Sequence, residues 1–209
     1  MTTLVAFLGN PGPEYARTRH NAGRILASSL DAALGLSWRR KYQGLYASLA
    51  GAALAEQVRE VFAEEETPPP AALPPVHFLM PETFMNRSGA SIAAASSFLH
   101  IPPEHILVVH DELELPLGMV SLKFSGGLGG HNGLRSAKAA LGSPDFWRLR
   151  IGIGRPAHKD IAGWVLEAFG KDEEPALSRT VSGAKEALLR ALLRGPETLL
   201  PAWSKKDFL

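Results

Sequence analysis

Short apolar runs alternate with segments of helical periodicity along most of this sequence, and this alternation limits the fold more than any other feature. The first run is followed at once by turn-forming residues, Gly-Asn-Pro-Gly. Strands are predicted at residues 4–8, 76–80, 106–109, 119–124 and 149–153. Helices are predicted at residues 25–34, 88–99, 133–141, 161–169 and 175–193, whereas residues 45–54 fit either a strand or a helix. Strands alternating with helices predict an α/β protein, a three-layer domain with a twisted, mixed central sheet flanked by helices.

Length and composition agree with one such domain. The chain has 209 residues, of which 45% are hydrophobic, enough for one substantial core. It has no cysteine, so disulfides, thiolate catalysis and cysteine-ligated zinc are excluded. No apolar run is long enough to span a membrane, and the N-terminus reads as a first strand and not as a signal peptide. We therefore expect a cytoplasmic protein that does not bind membranes.

Charge is informative only locally. The net charge is +1, but residues 119–160 hold seven Lys or Arg against two acids. This excess fits a phosphate-bearing ligand, and it also fits an ordinary solvated basic face. Residues 56–75 differ from the rest, with three consecutive glutamates followed by PPPAALPP. Such a segment resists regular structure, so we expect a solvated loop or hairpin tip inserted into the domain.

Polar side chains recur where the predicted strands end. Asn10, Asn86 and Asp111 follow three of the strands, and His131 and Asn132 follow a fourth. Functional loops of α/β sheets lie at the carboxyl ends of the strands. These side chains are therefore expected to converge on one cleft, together with His20 from the first long loop.

The glycine-rich stretch SGGLGGHNGLRS at residues 125–136 allows the backbone to approach a ligand closely. Asn132 is well placed to cap the helix that starts at Gly133, and a helix N-terminus favours a phosphate or an oxyanion. A tight turn with an ordinary asparagine cap would account for the same glycines. It would not account for His131.

His20 and Asp111 are the candidates for acid–base chemistry. A neutral imidazole accepts a proton from water near pH 7, and a carboxylate on its other nitrogen fixes the tautomer. Asparagines offer both donor and acceptor atoms, which suits them to a peptide-like group or a developing oxyanion. The alternative for His20 is a loop histidine that caps the next helix.

Other chemistries have weaker support in the sequence. There is no Gly-x-Ser-x-Gly elbow for a nucleophilic serine, and the histidines lack the spacing of a common metal motif, so no metal is predicted. GIGRPA at residues 152–157 matches Gly-x-Gly-x-x-Ala, a dinucleotide-binding pattern. It comes late in the chain, and Pro156 stands where free amides are needed.

Four blocks taken together closely resemble the bacterial peptidyl-tRNA hydrolase family. They are LGNPGPEYARTRHNAG, PETFMNRSG, HDELELPLG and GGLGGHNGLRS, the last followed by DFWRLRIGIGRP, and they occur in order within residues 8–156. The resemblance implies hydrolysis of the ester between a peptide and tRNA, with His20 activating water and no covalent intermediate. Asp111 would stabilise the basic form of His20, and Asn10 would help to distinguish an N-blocked peptidyl group from a free aminoacyl group.

The resemblance also implies a set of substrate-binding residues. They are Tyr15, Phe84, Met85, Asn86, Lys123, His131, Asn132 and Arg150. The asparagines would hold the substrate end and position the water, and the aromatic residues would line the site for the tRNA 3′ end. Lys123 and Arg150 would bind phosphate at the tRNA end. Met85 would line the cleft, and core packing is an equally good reading for it and for Phe84.

No cofactor and no further partner are implied, and a monomer is expected. Two departures from the family pattern stand out: Phe7 replaces a usual glycine, and the segment at residues 56–75 is longer than usual. Its acids would repel RNA, so we expect it to lie away from the tRNA. The rival function is a non-catalytic RNA-binding adaptor on the same fold, and a nucleotide-binding oxidoreductase is a remote third.

Overall fold

The computed structural model describes residues 1–59, 72–157 and 159–209 and shows a mixed sheet between two layers of helices. The strands are β1 Leu4–Phe7, β2 Arg39–Lys41, β3 Gly44–Leu49, β4 Val76–Pro81, β5 Ile106–Glu112, β6 Met119–Phe124, β7 Trp147–Gly152 and β8 Lys206–Asp207. Their order across the sheet is β2-β3-β4-β1-β5-β7-β6-β8. The three-layer α/β architecture expected from the alternation is confirmed.

The four central strands, β4, β1, β5 and β7, run parallel, and the outer strands pair antiparallel to their neighbours. Alternate residues of β1 face opposite helix layers, with Val5 and Phe7 on one side and Leu4 and Ala6 on the other. Because the central strands are parallel, their carboxyl ends meet at one edge of the sheet. That edge is where a site can form.

The helices cover both faces of the sheet. They are α1 Ala22–Leu34, α2 Gly51–Arg59, α3 Ser88–Leu99, α4 Asn132–Leu141, α5 Ile161–Leu166, α6 Glu174–Arg194 and α7 Pro196–Trp203. Helices α1, α2, α6 and α7 pack on one face, and α3 and α4 on the other. Phe7 is fully buried and stacks on Phe78 with ring centroids 6.5 Å apart, so the departure from glycine fills the core.

The predicted strands and helices are confirmed within a few residues of their bounds, including the long helix predicted at residues 175–193. The ambiguous segment at residues 45–54 contains both the end of β3 and the start of α2. Helix α5 ends at Leu166, short of the predicted residue 169. The loop prediction for residues 56–75 is wrong at its start, because residues 56–59 complete α2. Residues 60–71 lie outside the described residues. Strands β2 and β8 and helix α7 were not predicted, since each is too short or too polar to stand out.

None of the helices in the described part of the chain is both long enough and apolar enough to cross a membrane.

Helix α1 approaches the sheet through Gly23. A Cβ on this residue would lie 2.6 Å from the carbonyl oxygen of Leu8 and 2.8 Å from that of Val109, both backbone atoms that cannot swing away. The close approach fixes the start of α1, directly after the turn that carries His20.

We expect Gly23→Ala to lower the free energy of unfolding by about 1–3 kcal/mol, because the added methyl overpacks the helix–sheet contact. Gly127→Ala is the control, since nothing lies within 4 Å of its Cβ position and its φ is not positive. Chemical denaturation of the two variants measures the difference. An unchanged midpoint for Gly23→Ala would mean that the helix and sheet can separate without loss.

Candidate active site

The polar side chains that follow the strands meet at the carboxyl edge of the sheet, as the sequence predicted. Asn10 follows β1 and Asn86 follows β4, while Asp111 is the second-to-last residue of β5. His131 and Asn132 come from the glycine-rich connection between β6 and α4. His20 lies on a 3-10 turn, Arg19–Asn21, that leads into α1.

His20 and Asp111 form a buried hydrogen-bonded pair. The Nδ1 atom of His20 lies 2.9 Å and 3.0 Å from the two carboxylate oxygens of Asp111. His20 is 9% exposed and Asp111 is 3% exposed. Because Nδ1–H donates to the carboxylate, the lone pair of the neutral ring is on Nε2, which has no hydrogen bond to the described residues. This is the arrangement of a general base held by a carboxylate.

His131 is a second partner of the same carboxylate. Its Nε2 lies 2.9 Å from Oδ1 of Asp111, while its Nδ1 accepts hydrogen bonds from the backbone N–H groups of Gly133 and Leu134. The prediction that Asn132 caps α4 is therefore wrong. The imidazole of His131 is the cap, and Asn132 is the first residue of the helix. The ring is thus bound from both sides, so it orients Asp111 and has no nitrogen left for a substrate.

Burial and charge set the protonation of the pair. Burial alone lowers the pKa of His20, but the charge and hydrogen bond of Asp111 together outweigh it and leave that pKa raised above 6.5. Burial alone raises the pKa of Asp111, but the neighbouring imidazoles of His131 and His20 hold it well below its ordinary range. Asp111 is consequently a carboxylate at every pH at which His20 titrates.

A metal ion is chemically conceivable at this cluster, because one ligand atom each of His20, Asp111 and His131 lie within 4.8 Å of one another. The hydrogen bonds argue against it. Since Nδ1 of His131 accepts from two amides, Nε2 must carry the proton and cannot ligate a metal in that state. The donor set fits a hydrogen-bonded carboxylate better than a metal centre.

A third histidine, His110, lies behind the pair. Its ring is 5.0 Å from that of His131, and its Nδ1–H donates to the carbonyl oxygen of Asp111 at 2.7 Å. Burial above all, and then the proximity of His131, lowers the pKa of His110 well below its ordinary value, so the ring is neutral. It supports the backbone of Asp111 without facing the cleft.

Asn10 is held so that its amide nitrogen faces the cleft. Its Oδ1 accepts from the backbone N–H of Met85 at 2.8 Å. Its backbone N–H donates to Oδ1 of Asn21 at 2.7 Å, and its carbonyl accepts from Nδ2 of Asn21 at 3.0 Å. With Oδ1 occupied, Nδ2 is left to donate to a ligand. Asn21 lies within the quoted sequence motif, but only this reciprocal contact shows its part in the site.

Two adjoining cavities open on either side of His20. One, of about 400 Å³, lies between Asp111, the glycine-rich connection and α5. The other, of about 530 Å³, lies between Asn10, Phe84, Asn86 and the same helix. His20 and Asn132 line both cavities, as do two residues of α5. Nε2 of His20 is thus available to a substrate that passes from one cavity to the other.

Of the two predicted aromatic residues, Phe84 lines the second cavity and Tyr15 packs beside it. Phe84 is 56% exposed, and the ring of Tyr15 meets it edge to face with centroids 6.4 Å apart. Met85 is 4% exposed and packs in the core, although it also lines this cavity. Met85 therefore both packs in the core and lines the cleft, whereas the exposed ring of Phe84 is not explained by core packing.

The predicted phosphate-binding cations have different surroundings. Lys123 is half-buried on β6. Arg150 is bound by Glu112 at 2.9 Å and by the hydroxyl of Ser121 at 3.3 Å. Arg148 is buried and donates to the carbonyls of Gly126 and Gly127, which fixes the glycine-rich connection. Arg148 and Arg150, two of the seven cations at residues 119–160, thus have partners within the protein.

Arg19, next to His20 in the chain, ties the active-site turn to α5. Its guanidinium makes two hydrogen bonds with Glu173, at 2.9 Å and 2.6 Å. It also lies 3.7 Å from the ring centroid of Trp164 in α5 and 4.8 Å from that of Phe169. Sequence reasoning missed this residue because its partners lie about 150 positions away.

We expect Arg19→Met to lower kcat by about tenfold, because His20 and the helix over both cavities lose a common anchor, and small misplacements of a catalytic group are costly. The unpaired Glu173 should also lower the free energy of unfolding by about 1–3 kcal/mol. Arg17→Met is the control, since the Arg17–Glu174 pair is exposed and contributes little. Equal kinetics in the two variants would restrict Arg19 to an ordinary ion pair.

The interpretation of GIGRPA as a dinucleotide-binding motif is wrong, because that motif requires a helix to begin within it. No helix begins within residues 152–157, and α5 starts only at Ile161. The carbonyl of Gly154 instead accepts from Nε1 of Trp164 at 2.9 Å, which holds the segment against α5. The motif is part of the cleft wall.

Comparison with known proteins agrees with this geometry. The family model described as peptidyl-tRNA hydrolase matches residues 4–207. A peptidyl-tRNA hydrolase from Treponema pallidum is 46% identical over 211 residues, covering 99% of this chain and 96% of that protein. One from Desulfitobacterium hafniense is 43% identical, covering 94% and 96%.

Solved structures give the same result for the fold. The crystal structure of peptidyl-tRNA hydrolase from Acinetobacter baumannii superposes with a TM-score of 0.78 at 34% identity, covering 97% of this chain and 96% of that one. The sequence matches and the shared fold together show that the chain belongs to the peptidyl-tRNA hydrolase family, a family of hydrolases.

Proposed function

We propose that the protein hydrolyses the ester bond between a peptide and tRNA, using a water molecule activated by His20 and forming no covalent intermediate. The observation that carries the proposal is the His20–Asp111 pair, with Nδ1 bound to the carboxylate in a ring that lines two cavities, so that Nε2 is the nitrogen left for a substrate. Family membership supports the substrate class.

In the first step Nε2 of His20 removes a proton from water while the oxygen attacks the ester carbonyl. The imidazolium that forms is stabilised by the buried carboxylate of Asp111, which is already ionised. The same proton then passes to the 3′ oxygen of the ribose as the carbon–oxygen bond breaks. The products are a peptide carboxylic acid, which loses its remaining proton to solvent, and a free tRNA 3′ hydroxyl, and no side-chain nucleophile is required.

The asparagines of the cleft supply neutral donors. Nδ2 of Asn10 can donate to the acyl carbonyl of an N-blocked residue. An unblocked residue lacks that acceptor and carries a cationic amino group instead. Asn86 and Asn132 are exposed in the cavities and suit the developing oxyanion or the attacking water. These roles explain why an ester substrate would need no metal.

The substrate's RNA end would lie over the aromatic residues. A single-stranded 3′ end can stack on the exposed ring of Phe84, which Tyr15 supports from the side. Contacts to phosphate give affinity without sequence preference, as a hydrolase of many tRNAs requires.

We expect Lys123→Ala to raise KM for peptidyl-tRNA several-fold with little change in kcat, and to flatten the salt dependence of KM. Arg150→Ala should have a larger effect, because Glu112 is left as an unpaired carboxylate beside the cleft. Adding Glu112→Gln to Arg150→Ala separates the two causes and should recover part of the loss. KM values that do not respond to salt or to either substitution would place the tRNA elsewhere.

The deciding experiment compares N-acetylated aminoacyl-tRNA with unblocked aminoacyl-tRNA and follows the release of free tRNA. Cleavage of the blocked substrate alone, with the preference reduced in Asn10→Ala, is the expected result. Cleavage of neither substrate, with tRNA still bound, would instead support the RNA-binding adaptor. We favour the enzyme because an adaptor has no need of a hydrogen-bonded base beside a cavity.

A further inference from the structure

Some of the cations that the sequence marks out at residues 119–160 have partners within the protein. Arg148 binds backbone carbonyls, Arg150 binds Glu112, and Arg155 forms an ion pair with Glu114. A substrate as large and as negative as tRNA needs further positive surface outside the cleft. Exposed cations on the other elements can provide it.

Three consecutive cations, Arg39, Arg40 and Lys41, form strand β2 at one edge of the sheet. With the turn residues Tyr42 and Gln43 they are called here the basic hairpin. The side chain of Arg40 is 85% exposed, and its contact with Glu82, at 3.4 Å, is long. Among the described residues, Glu82 is the acid that forms an ion pair with one of these three cations, so this part of the surface carries a net positive charge.

Aromatic rings accompany these cations. Nζ of Lys41 lies 4.6 Å from the ring centroid of Tyr42 and 4.4 Å from that of Phe98 in α3. Phe98 is 64% exposed, so its ring is accessible beside these cations. Cations interleaved with exposed aromatic rings are typical of surfaces that bind nucleic acid.

The turn of the hairpin is conformationally costly. Tyr42 and Gln43 both have φ of 55°, a conformation that two-residue hairpin turns usually give to asparagine or glycine. The turn is held by Ser91, whose hydroxyl donates to the carbonyl of Tyr42 at 2.6 Å, and by the N–H of Glu82, which donates to Gln43. Strained residues that neighbours hold in place concentrate at binding sites.

The hairpin turn lies at the same end of the strands as the active site, the carboxyl end of the parallel strands. Gly44 pairs with Pro81, three residues before Phe84. Strand β2 is three strands away from β1, which corresponds to about 14 Å at the usual spacing. This is too far for the reacting ester and close enough for the body of a tRNA whose 3′ end is in the cleft.

We propose that the basic hairpin binds the phosphate backbone of the tRNA outside its single-stranded 3′ end. The inference rests on the proposed function, because it takes tRNA as the substrate. Charge complementarity selects a polyanion over a peptide of arbitrary sequence. Cations on an edge strand also discourage edge-to-edge aggregation, and the experiment has to separate the two roles.

The test compares the variant Arg39→Gln/Arg40→Gln/Lys41→Gln with a control, Lys171→Gln/Arg179→Gln/Lys205→Gln, which removes three exposed cations elsewhere. Each is assayed on N-acetylaminoacyl-tRNA and on the same ester carried by a short CCA oligonucleotide. For the hairpin variant we expect KM on tRNA to rise about tenfold, with kcat and the oligonucleotide KM unchanged. The slope of log KM against log salt should fall by about two.

Three results would overturn the proposal. The first is an unchanged KM on tRNA, even if the variant aggregates. The second is an equal rise in KM on tRNA and on the oligonucleotide, which would assign the hairpin to the peptide or the 3′ end. The third is an equal rise in KM for the control variant. If the wild-type protein hydrolyses neither substrate, the proposed function fails separately. Fluorescence anisotropy with deacylated tRNA then still tests the hairpin, with the same tenfold loss expected.

Discussion

Replacement of His20 by alanine is expected to lower kcat by about 10²- to 10⁴-fold, the usual contribution of a positioned general base. Binding of deacylated tRNA should be nearly unchanged, because Nε2 of His20 acts on the water and the phosphate contacts lie elsewhere. Single-turnover hydrolysis of N-acetylaminoacyl-tRNA and a parallel binding titration measure the two quantities.

His105→Ala is the matched control. His105 lies on a 3-10 turn before β5, at the opposite end of that strand from Asp111. It should retain full activity. If the His20→Ala protein unfolds, or if it keeps most of its turnover, His20 is a structural loop histidine and not the general base.

The second large effect is expected from Asp111→Asn. In the wild type, kcat/KM should rise with pH and level off above a midpoint higher than 6.5, because the base works only when neutral and its pKa is raised. Asparagine removes the charge that raises this pKa but leaves the burial that lowers it. The midpoint should therefore move below 6.5, and the plateau should fall about 10²-fold because a weaker, less well oriented base remains.

The same substitution should also alter stability. The raised pKa of His20 contributes stability that is present below its unfolded pKa and is lost as pH rises through its folded value. The depressed pKa of Asp111 contributes stability that is present above its unfolded pKa and is lost as pH falls. Asp111→Asn removes both contributions and leaves two imidazole donors facing a single amide oxygen.

Denaturation of wild type and Asp111→Asn at several pH values measures this change, and Asp145→Asn, an exposed aspartate, is the control. The difference in unfolding free energy should be greatest near pH 5 to 6, where Asp111 is charged in both states and His20 is still protonated. A difference that grows instead toward pH 8 would show that His20 is not the partner whose pKa Asp111 raises.

Much of the site could be predicted because the sequence itself marks where strands end. Asn10 and Asp111 come two residues after an apolar run and Asn86 comes six residues after one, and parallel strands bring such positions to one edge. His20 could be placed nearby because only one turn separates it from the helix that packs on β1. Local pattern was sufficient where the relevant distances along the chain are short.

The errors and omissions concern contacts between distant segments. The capping of α4 by His131 could not be read from the sequence, because asparagine is the commoner cap and the choice depends on where Asp111 lies. The anchoring of Arg19 by Glu173 and Trp164 involves residues some 150 positions away. Likewise, the neutralisation of Arg150 by Glu112 depends on the pairing of β5 with β7.

The sequence by itself determined the layered α/β architecture, the edge at which the polar residues meet and, through its motifs, the family. These follow from hydrophobic periodicity and from residue order, which are local properties. The tertiary structure alone decided which nitrogen of His20 is available, which histidine shares Asp111 and which cations remain for a ligand. Hydrogen bonds and ion pairs are short-range and directional, so only the packed arrangement of distant segments selects the partners.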